Sequence, residues 1–395
     1  MPLKPEENEL LTRVGPCTPC GELLRRYWHP IAPVQELSAE QPTKFVRLLG
    51  EDLVLFRDQA GQVGLLADHC AHRGASLCYG RVEGRGISCA YHGWLYDTGG
   101  SILETPPERN DAIIKHVRQP AYPVQRFIGM YWAYLGPLPA PAIPHYDVWA
   151  RRDGRRRIVV QPQLDCNWLQ AMENSVDPAH AKILHQEHTG RGVRPVNTTR
   201  GYTDDVAHFD FYLTAYGIMK RTFYVTGVVE EHPLIFPNIL RFRGVTQIRV
   251  PLDDTHTAHI YVIFEPNSDD SLVDEPAELP VQYVAPFKAP PVALHPAARF
   301  RMDSVDAQDH MAWETQGPIA DRTREHLAYS DRGIVLLRRL VRDQIERVQR
   351  GLDPLAVVRD PHHGPIDTNM LGEAQGVRSG DPPRAVRLAT VAVEQ

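Results

Sequence analysis

The chain has 395 residues, of which 43% are hydrophobic and 23% are charged, and its formal net charge is −6 at pH 7. This length fits two domains better than one, and the composition is typical of a folded globular protein. The acidic balance gives no support for nucleic-acid binding, which usually requires a clustered basic face.

The N-terminal stretch is polar and acidic and lacks an apolar signal core. No apolar run approaches the ~20 residues that are needed to span a bilayer. We therefore expect a cytoplasmic protein that does not bind membranes. In a reducing compartment, its six cysteines are more typical of thiols or metal ligands than of disulfides. Cys17 and Cys20 form a C-x-x-C pair without a second pair, and the sequence leaves their role open.

The first half of the chain has the pattern of a small all-β domain from about residue 27 to 140. Residues 44–66 alternate β-forming side chains with turn signals, and the glycines that follow predict a loop-rich region. A proline-rich segment at 136–144 can form neither a regular helix nor a strand ladder. We therefore predict one domain over residues 1–145, including an N-terminal helix, and a second domain over residues 146–395.

The second half mixes strands and helices. Residues 209–229 and 239–264 are rich in strand-forming side chains, whereas 167–173, 306–315 and 333–349 have helical spacing. This order predicts an α+β domain in which helices cover an antiparallel sheet. The C-terminal residues are polar and contain many glycines and prolines, which predicts a wrapping arm or a loose tail.

The strongest motif consists of two loops that each carry one cysteine and one histidine. The residues are Cys70, His72, Cys89 and His92. Two thiolates on one iron and two imidazoles on the other make a Rieske [2Fe–2S] centre. Gly74 and Gly93 allow the two loops to close tightly. The alternative is a Cys2His2 zinc site, but such sites usually pair cysteine with cysteine and histidine with histidine.

A second motif contains Asp177, Pro178, His180 and His185. Two histidines and a carboxylate leave coordination positions open, which suits Fe(II). His180 and His185 are five residues apart, so they do not share a face of a regular α-helix. We expect the helix to end, bend or carry a π-bulge, with a break near Asp177 because Pro178 disfavours an α conformation before it. The alternative is two exposed histidines on an ordinary helix.

These motifs resemble those of the Rieske non-haem iron aromatic ring-hydroxylating oxygenases, in the oxygenase (alpha) subunit. The similarity covers C-x-H-R-G at 70–74, C-x-x-H-G-W at 89–94 and D-x-x-H-x-x-x-x-H at 177–185. Residues 21–30 and the segment 308–318 resemble the branch of phthalate dioxygenases and aryl O-demethylases. Respiratory Rieske proteins brace the two loops with a disulfide, whose positions here hold Ala75 and Tyr91. The resemblance implies an all-β Rieske domain followed by a catalytic domain.

The resemblance also implies roles for the site residues. The [2Fe–2S] ligands would be Cys70, His72, Cys89 and His92. Fe(II) would be held by His180, His185 and Asp309, with Asp303 and Asp306 as rivals for the third ligand. Asp177 would bridge a cluster histidine of one subunit to an iron-ligating histidine of its neighbour, which implies a homotrimer or a hexamer.

The implied reaction is the oxygenation of an aromatic acid or ether by O2. Electrons would come from a separate NAD(P)H-dependent reductase with a flavin and an Fe–S centre, because the chain lacks a nucleotide-binding glycine motif and a second Fe–S cysteine set. The sequence leaves open whether the product is dihydroxylated or O- or N-demethylated. Two alternatives from other classes are a Rieske electron carrier without oxygenase chemistry and a zinc-stabilised binding module.

Three residues are candidates for substrate binding. Arg241 and Arg243 lie two apart on a predicted strand and would face the same way, so they can clamp a carboxylate. The alternative is that they lie on an outward, solvated face. Asn174 is a candidate because it lies beside the second motif.

Overall fold

The computed structural model describes residues 2–110, 112–187, 206–269, 271–288 and 300–368. Of these residues, those within Leu24–Ala140 and Pro276–Leu279 form a small compact unit. Those within Met1–Leu23, Pro141–Glu275 and Pro280–Gln395 form a large compact unit. The predicted C-terminal arm or tail lies outside the described residues.

The small unit is built from short antiparallel strands, as the sequence predicts. They form three sheets, with the orders β1-β10-β9, β2-β3-β4 and β5-β6-β7-β8. The strands are β1 (Trp28–Pro33), β2 (Thr43–Leu48), β3 (Glu51–Arg57), β4 (Val63–Ala67), β5 (Arg81–Glu83), β6 (Gly86–Ser88), β7 (Leu95–Tyr96), β8 (Ile102–Glu104), β9 (Val124–Phe127) and β10 (Met130–Tyr134). The motif cysteines Cys70 and Cys89 are buried in the same core as Val54, Phe56 and Ile87.

The large unit contains an eight-stranded sheet with the order β12-β13-β14-β15-β16-β17-β11-β18. Its strands are β11 (Gly154–Val160), β12 (Val206–Leu213), β13 (Gly217–Tyr224), β14 (Val229–Ile235), β15 (Ile239–Phe242), β16 (Val245–Pro251), β17 (Thr257–Pro266) and β18 (Val281–Tyr283). All neighbouring strands are antiparallel except β11 and β18, which are parallel. The predicted antiparallel sheet is thus confirmed.

The helices are α1 (Pro5–Thr12), α2 (Pro19–Leu24), α3 (Asp147–Ala150), α4 (Trp168–Ser175), α5 (Ala179–Lys182), α6 (Val305–Glu314) and α7 (Arg332–Gln349). Helix α4 packs against β15 and β16 of the sheet and against α6 and α7, which confirms the α+β arrangement. Asn167 begins α4, because its side chain accepts a hydrogen bond from the Leu169 N–H. Within the described ranges, no helix combines the length and apolar composition that a bilayer span requires.

The prediction placed the N-terminal residues in the first domain, and here the structure differs. In the structure they belong to the large unit. The Asn8 side chain donates a hydrogen bond to the Ala320 carbonyl at 3.1 Å, and Arg13 forms an ion pair with Asp254 at 2.8 Å. These contacts span more than 200 residues of sequence, so local patterns in the sequence do not reveal them.

Glu173 joins helix α4 to two distant segments by buried ion pairs. Its carboxylate lies 2.8 Å from Arg322 and 2.6 Å from Arg338 of α7, and all three residues are buried. Burial alone would raise the pKa of Glu173, but the two guanidinium groups lower it. Glu173 is therefore ionised, and its contribution to stability is lost as the pH falls through its lowered pKa.

We expect Glu173→Gln to destabilise the protein, because it removes the carboxylate that pairs with two buried guanidinium groups. Removing one partner of a buried pair costs about 3–5 kcal/mol, which equilibrium urea denaturation measures. The matched control is Glu346→Gln, since Glu346 forms an exposed pair with Arg350 and such pairs contribute about 0–1 kcal/mol. Equal unfolding free energies for the two variants would contradict the prediction.

Candidate metal centres

The two cysteine–histidine loops of the small unit have the same backbone geometry. The Gly74 N–H donates to the Cys70 carbonyl at 2.8 Å, and the Gly93 N–H donates to the Cys89 carbonyl at 2.9 Å. Both glycines have φ near +75° (75° and 74°), a conformation that side chains with a Cβ rarely adopt. The glycines therefore allow each loop to turn back within four residues of its cysteine.

The four side chains of these loops converge. Cys70 and Cys89 are both buried, and the rings of His72 and His92 have their centroids 4.6 Å apart. The Nδ1 atom of His92 is buried and has no hydrogen-bond partner among the described residues, and burial raises the pKa of the Cys89 thiol. A metal cluster can bind both an unpaired imidazole nitrogen and a buried cysteine, the latter as a thiolate. The donor set fits the two-thiolate, two-imidazole ligation of a Rieske [2Fe–2S] cluster.

Two polar side chains contact these loops, and no motif in the sequence indicates either contact. The Tyr96 hydroxyl lies 3.0 Å from the Cys70 sulfur. The Gln119 side chain accepts a hydrogen bond from the Ala71 N–H at 2.8 Å and donates one to the His69 carbonyl at 2.9 Å. Gln119 therefore ties the first loop from a position 49 residues after Cys70 in sequence, which no local pattern indicates.

A second group of metal-binding side chains lies in the large unit. One potential ligand atom from each of His180, His185 and Asp309 lies within 4.8 Å of the others. The Nε2 atoms of His180 and His185 are 3.7 Å and 3.5 Å from the Asp309 carboxylate. This is a two-histidine, one-carboxylate set that can hold a metal ion and leave other coordination positions open.

The local backbone explains how the two histidines meet. Helix α4 ends at Ser175, and α5 begins at Ala179 and runs into a π-helical turn at Ile183–Glu187. The wider π turn accommodates the five-residue spacing that a regular α-helix does not. The predicted break near Asp177 and the predicted departure from α geometry are both confirmed.

A side-chain oxygen lies beside the Nδ1 atom of each histidine, and it forms a hydrogen bond in the case of His185. His180 Nδ1 lies 3.3 Å from the Asp177 carboxylate, and His185 Nδ1 lies 2.8 Å from Gln308 Oε1. With Nε2 of His185 as the ligand atom, its Nδ1 carries the hydrogen and donates it to Gln308. Gln308 was missed in the sequence, although it precedes Asp309 directly.

Other acidic and polar residues near the histidines are distinguished by their contacts. The Asn174 amide nitrogen lies 3.3 Å from His180 Nε2 and 3.4 Å from Asp309, so Asn174 adjoins the three candidate ligands. Asp306 instead accepts hydrogen bonds from Tyr261 at 2.6 Å and from Gln161 at 3.2 Å. The described metal-ligand group contains Asp309 and not the rivals considered in the sequence.

The structure does not present Arg241 and Arg243 as a carboxylate clamp. Arg241 is buried and forms an ion pair with Asp147 at 2.8 Å, so its charge is already compensated. Arg243 follows β15 in a turn with φ of 52°, and its side chain is 44% exposed. The two residues do not share a strand, because β15 ends at Phe242.

Comparison with known proteins agrees with this geometry. Residues 27–124 match the Rieske [2Fe-2S] domain family, and residues 299–368 match the family described as LigXa C-terminal domain like. The chain is 38% identical to the 5,5'-dehydrodivanillate O-demethylase oxygenase subunit of Sphingobium sp. (strain NBRC 103272 / SYK-6), over 91% of this chain and 84% of that protein.

Two further proteins are similar. The phthalate 4,5-dioxygenase oxygenase subunit of Pseudomonas putida is 33% identical, and the alignment covers 88% of each chain. The solved structure of NdmA from Pseudomonas putida CBB5 aligns with a TM-score of 0.61 at 23% identity, over 84% of this chain and 94% of that chain. The likeness to NdmA supports the fold.

We expect Gln308→Leu to weaken metal binding at His185, because the imidazole loses the partner that fixes its orientation. Loss of such a partner typically costs about 10–100-fold in metal affinity, which competition with a chromophoric chelator measures. Gln316→Ala is the matched control, because the exposed Gln316 side chain bonds to the Ala312 carbonyl of its own helix end and to none of the described metal-site residues. Unchanged metal affinity in Gln308→Leu would contradict the orienting role.

Proposed function

Since the chain belongs to the Rieske non-haem iron oxygenases, in the branch of phthalate dioxygenase and aryl O-demethylase oxygenase subunits, we propose that it oxygenates an aromatic acid or ether. Membership in this family makes the chain an oxygenase subunit and not an electron-transfer protein without chemistry of its own. The observation that carries the proposal is the convergence of His180, His185 and Asp309 in the unit that does not hold the cluster loops.

We assign Fe(II) to His180, His185 and Asp309, and the [2Fe–2S] cluster to Cys70, His72, Cys89 and His92. When bound, the two iron centres supply electron storage and O2 activation. The chain's own residues orient the ligands. Gln308 accepts a hydrogen bond from the Nδ1 atom of His185, and the Asp177 carboxylate lies 3.3 Å from the Nδ1 atom of His180, so both Nε2 atoms are left for the metal.

Asp177 is proposed to bridge His180 to a cluster histidine of a neighbouring subunit. Burial would raise its pKa, but His180, the Ala179 N–H and Lys220 together lower it. Asp177 is therefore a carboxylate at neutral pH and can accept a hydrogen bond from an imidazole on either side. This role requires a second chain, which supports a homotrimer or a hexamer as the proposed assembly.

The electrons must come from another protein. The relatives are named oxygenase subunits, which implies a separate electron-donating component. We propose that this partner is an NAD(P)H-dependent reductase with a flavin and an Fe–S centre, in the cytoplasm. The reductase binds the nicotinamide, for which this chain has no glycine motif.

O-demethylation is the second candidate outcome, because the O-demethylase relative is 38% identical and the phthalate dioxygenase relative is 33% identical. The test is a product analysis with a surrogate reductase, NADH and two substrates. With 4-methoxybenzoate, demethylation releases formaldehyde and gives a phenol, whereas phthalate gives a cis-dihydrodiol if the ring is dihydroxylated. If neither these two compounds nor a wider screen of aromatic acids and ethers is oxygenated, the proposed function is wrong.

We expect His180→Ala and His185→Ala to abolish oxygenation without changing the cluster. Each variant removes one of three ligands of the mononuclear site, while the cluster loops lie in the other unit. Electron paramagnetic resonance of the reduced variants should therefore retain the Rieske signal at full intensity. Loss of that signal would contradict the assignment of the two sets of ligands.

Asp177→Asn is expected to slow electron transfer while both metal centres remain bound. The variant keeps the size of the side chain but replaces the charged acceptor that faces His180 Nδ1 at 3.3 Å. Single-turnover oxidation of the prereduced cluster, followed by absorbance, measures the rate. A wild-type rate with full iron content would remove the bridging role from Asp177.

A further inference from the structure

One face of the large sheet carries two buried cations, Lys220 on β13 and Arg249 on β16. Residues that pair directly in an antiparallel sheet point to the same face, and the register from β13 to β16 has no bulge. Cross-strand pairs and residues two apart on one strand connect Lys220 with Arg249 on this face. The pairs are Lys220–His232, Leu234–Leu240 and Leu240–Gln247, and Arg249 lies two residues after Gln247.

Helix α6 covers this same face. Arg249 pairs with His259 across β16 and β17, and His259 lies 3.3 Å from His310 of α6. Asp309 belongs to the same helix. The charge of Asp309 acts on both Lys220 and Arg249, and the charge of Asp177 acts on Lys220. The sheet face that carries the two cations is therefore the face covered by the helix of Asp309.

These two cations differ from the other buried arginines of the described chain. Six other arginines are buried, and each has a carboxylate within 4.0 Å: Arg25, Arg151, Arg156, Arg241, Arg322 and Arg338. Lys220 is 7% exposed and Arg249 is 1% exposed, yet neither has a carboxylate of the described residues within 4.0 Å. Arg249 bonds to Gln247 at 2.7 Å, and its Nε has no hydrogen-bond partner in the part of the chain that the structure describes.

A buried cation without an opposite charge is unfavourable. Burial lowers the pKa of Lys220 to about 8 and that of Arg249 to about 10, so both groups are still mostly cationic at neutral pH. Perturbed and uncompensated charges of this kind cluster at sites that bind a ligand. Between them the face carries the apolar side chains of Leu234, Leu240 and Phe242, which suit an aromatic ring.

We propose that Lys220 and Arg249 bind the carboxylate groups of an aromatic acid and hold its ring beside His180, His185 and Asp309. The inference rests on the proposed function, because it names the substrate class of the same site. The competing explanation is that the two cations only balance the aspartates around them. In that case a charged and a neutral ligand would bind equally well.

The test compares phthalate with its uncharged analogue phthalamide, by calorimetric titration of the metal-loaded enzyme at pH 7. We expect the wild-type protein to bind phthalate about tenfold or more tightly than phthalamide. Lys220→Met and Arg249→Met should each weaken phthalate binding by about 10–100-fold, the worth of a hydrogen bond to a charged group. Phthalamide binding should remain unchanged, and Lys220→Arg should retain most of the preference.

Arg155→Met is the matched control, because Arg155 lies on β11 of the same sheet with an exposed side chain. It removes the same charge and should leave phthalate binding unchanged. The inference is wrong if the wild-type protein does not prefer phthalate, or if the variants weaken both ligands alike. The wild-type comparison and Lys220→Arg decide the question even if a methionine variant does not fold. Oxygenation of neutral aromatics without a preference for acids would overturn this inference and leave the proposed function intact.

Discussion

The convergence of His180 and His185 on Asp309 depends on one backbone constraint, the interruption of the helix between α4 and the π turn. Asp177 and Pro178 stop α4, and the π-helical turn at Ile183–Glu187 then accommodates a spacing that α geometry rejects. Once both imidazoles face the same point, Asp309 from α6 completes the group. Because Gln308 fixes His185 from α6 as well, one helix supplies both a ligand and an orienting partner.

Buried charges near these three residues of the large unit fall into two kinds, paired and unpaired with carboxylates of the described residues. Glu173 on α4 is held by Arg322 and Arg338, so the helix that precedes the metal motif is anchored by buried ion pairs. The opposite arrangement occurs on the sheet, where Lys220 and Arg249 are buried with no carboxylate of the described residues within 4.0 Å. The contrast separates charges that hold the fold from charges that are available to a ligand.

Local patterns in the sequence predicted which motif side chains come together, the break near Asp177 and the two-part α+β architecture. These features depend on residue spacing, on proline and on strand periodicity. Local patterns did not predict Gln308, Gln119 or the position of α1, because these depend on contacts between residues far apart in sequence. The suggested role of Arg241 and Arg243 shows a related limit. Strand periodicity gives the face of a side chain, but it does not reveal that Asp147 already neutralises Arg241 or that β15 ends before Arg243.

The amide of Gln119 has a consequence for how the cluster loop withstands reducing agents. In respiratory Rieske proteins a covalent sulfur bridge braces the loops, whereas here Gln119 ties the first loop by hydrogen bonds to Ala71 and His69. Hydrogen bonds of this kind are indifferent to glutathione and thioredoxin, which cleave disulfides. The hydrogen bonds that hold the scaffold around Cys70 are therefore independent of thiol–disulfide exchange with the surroundings.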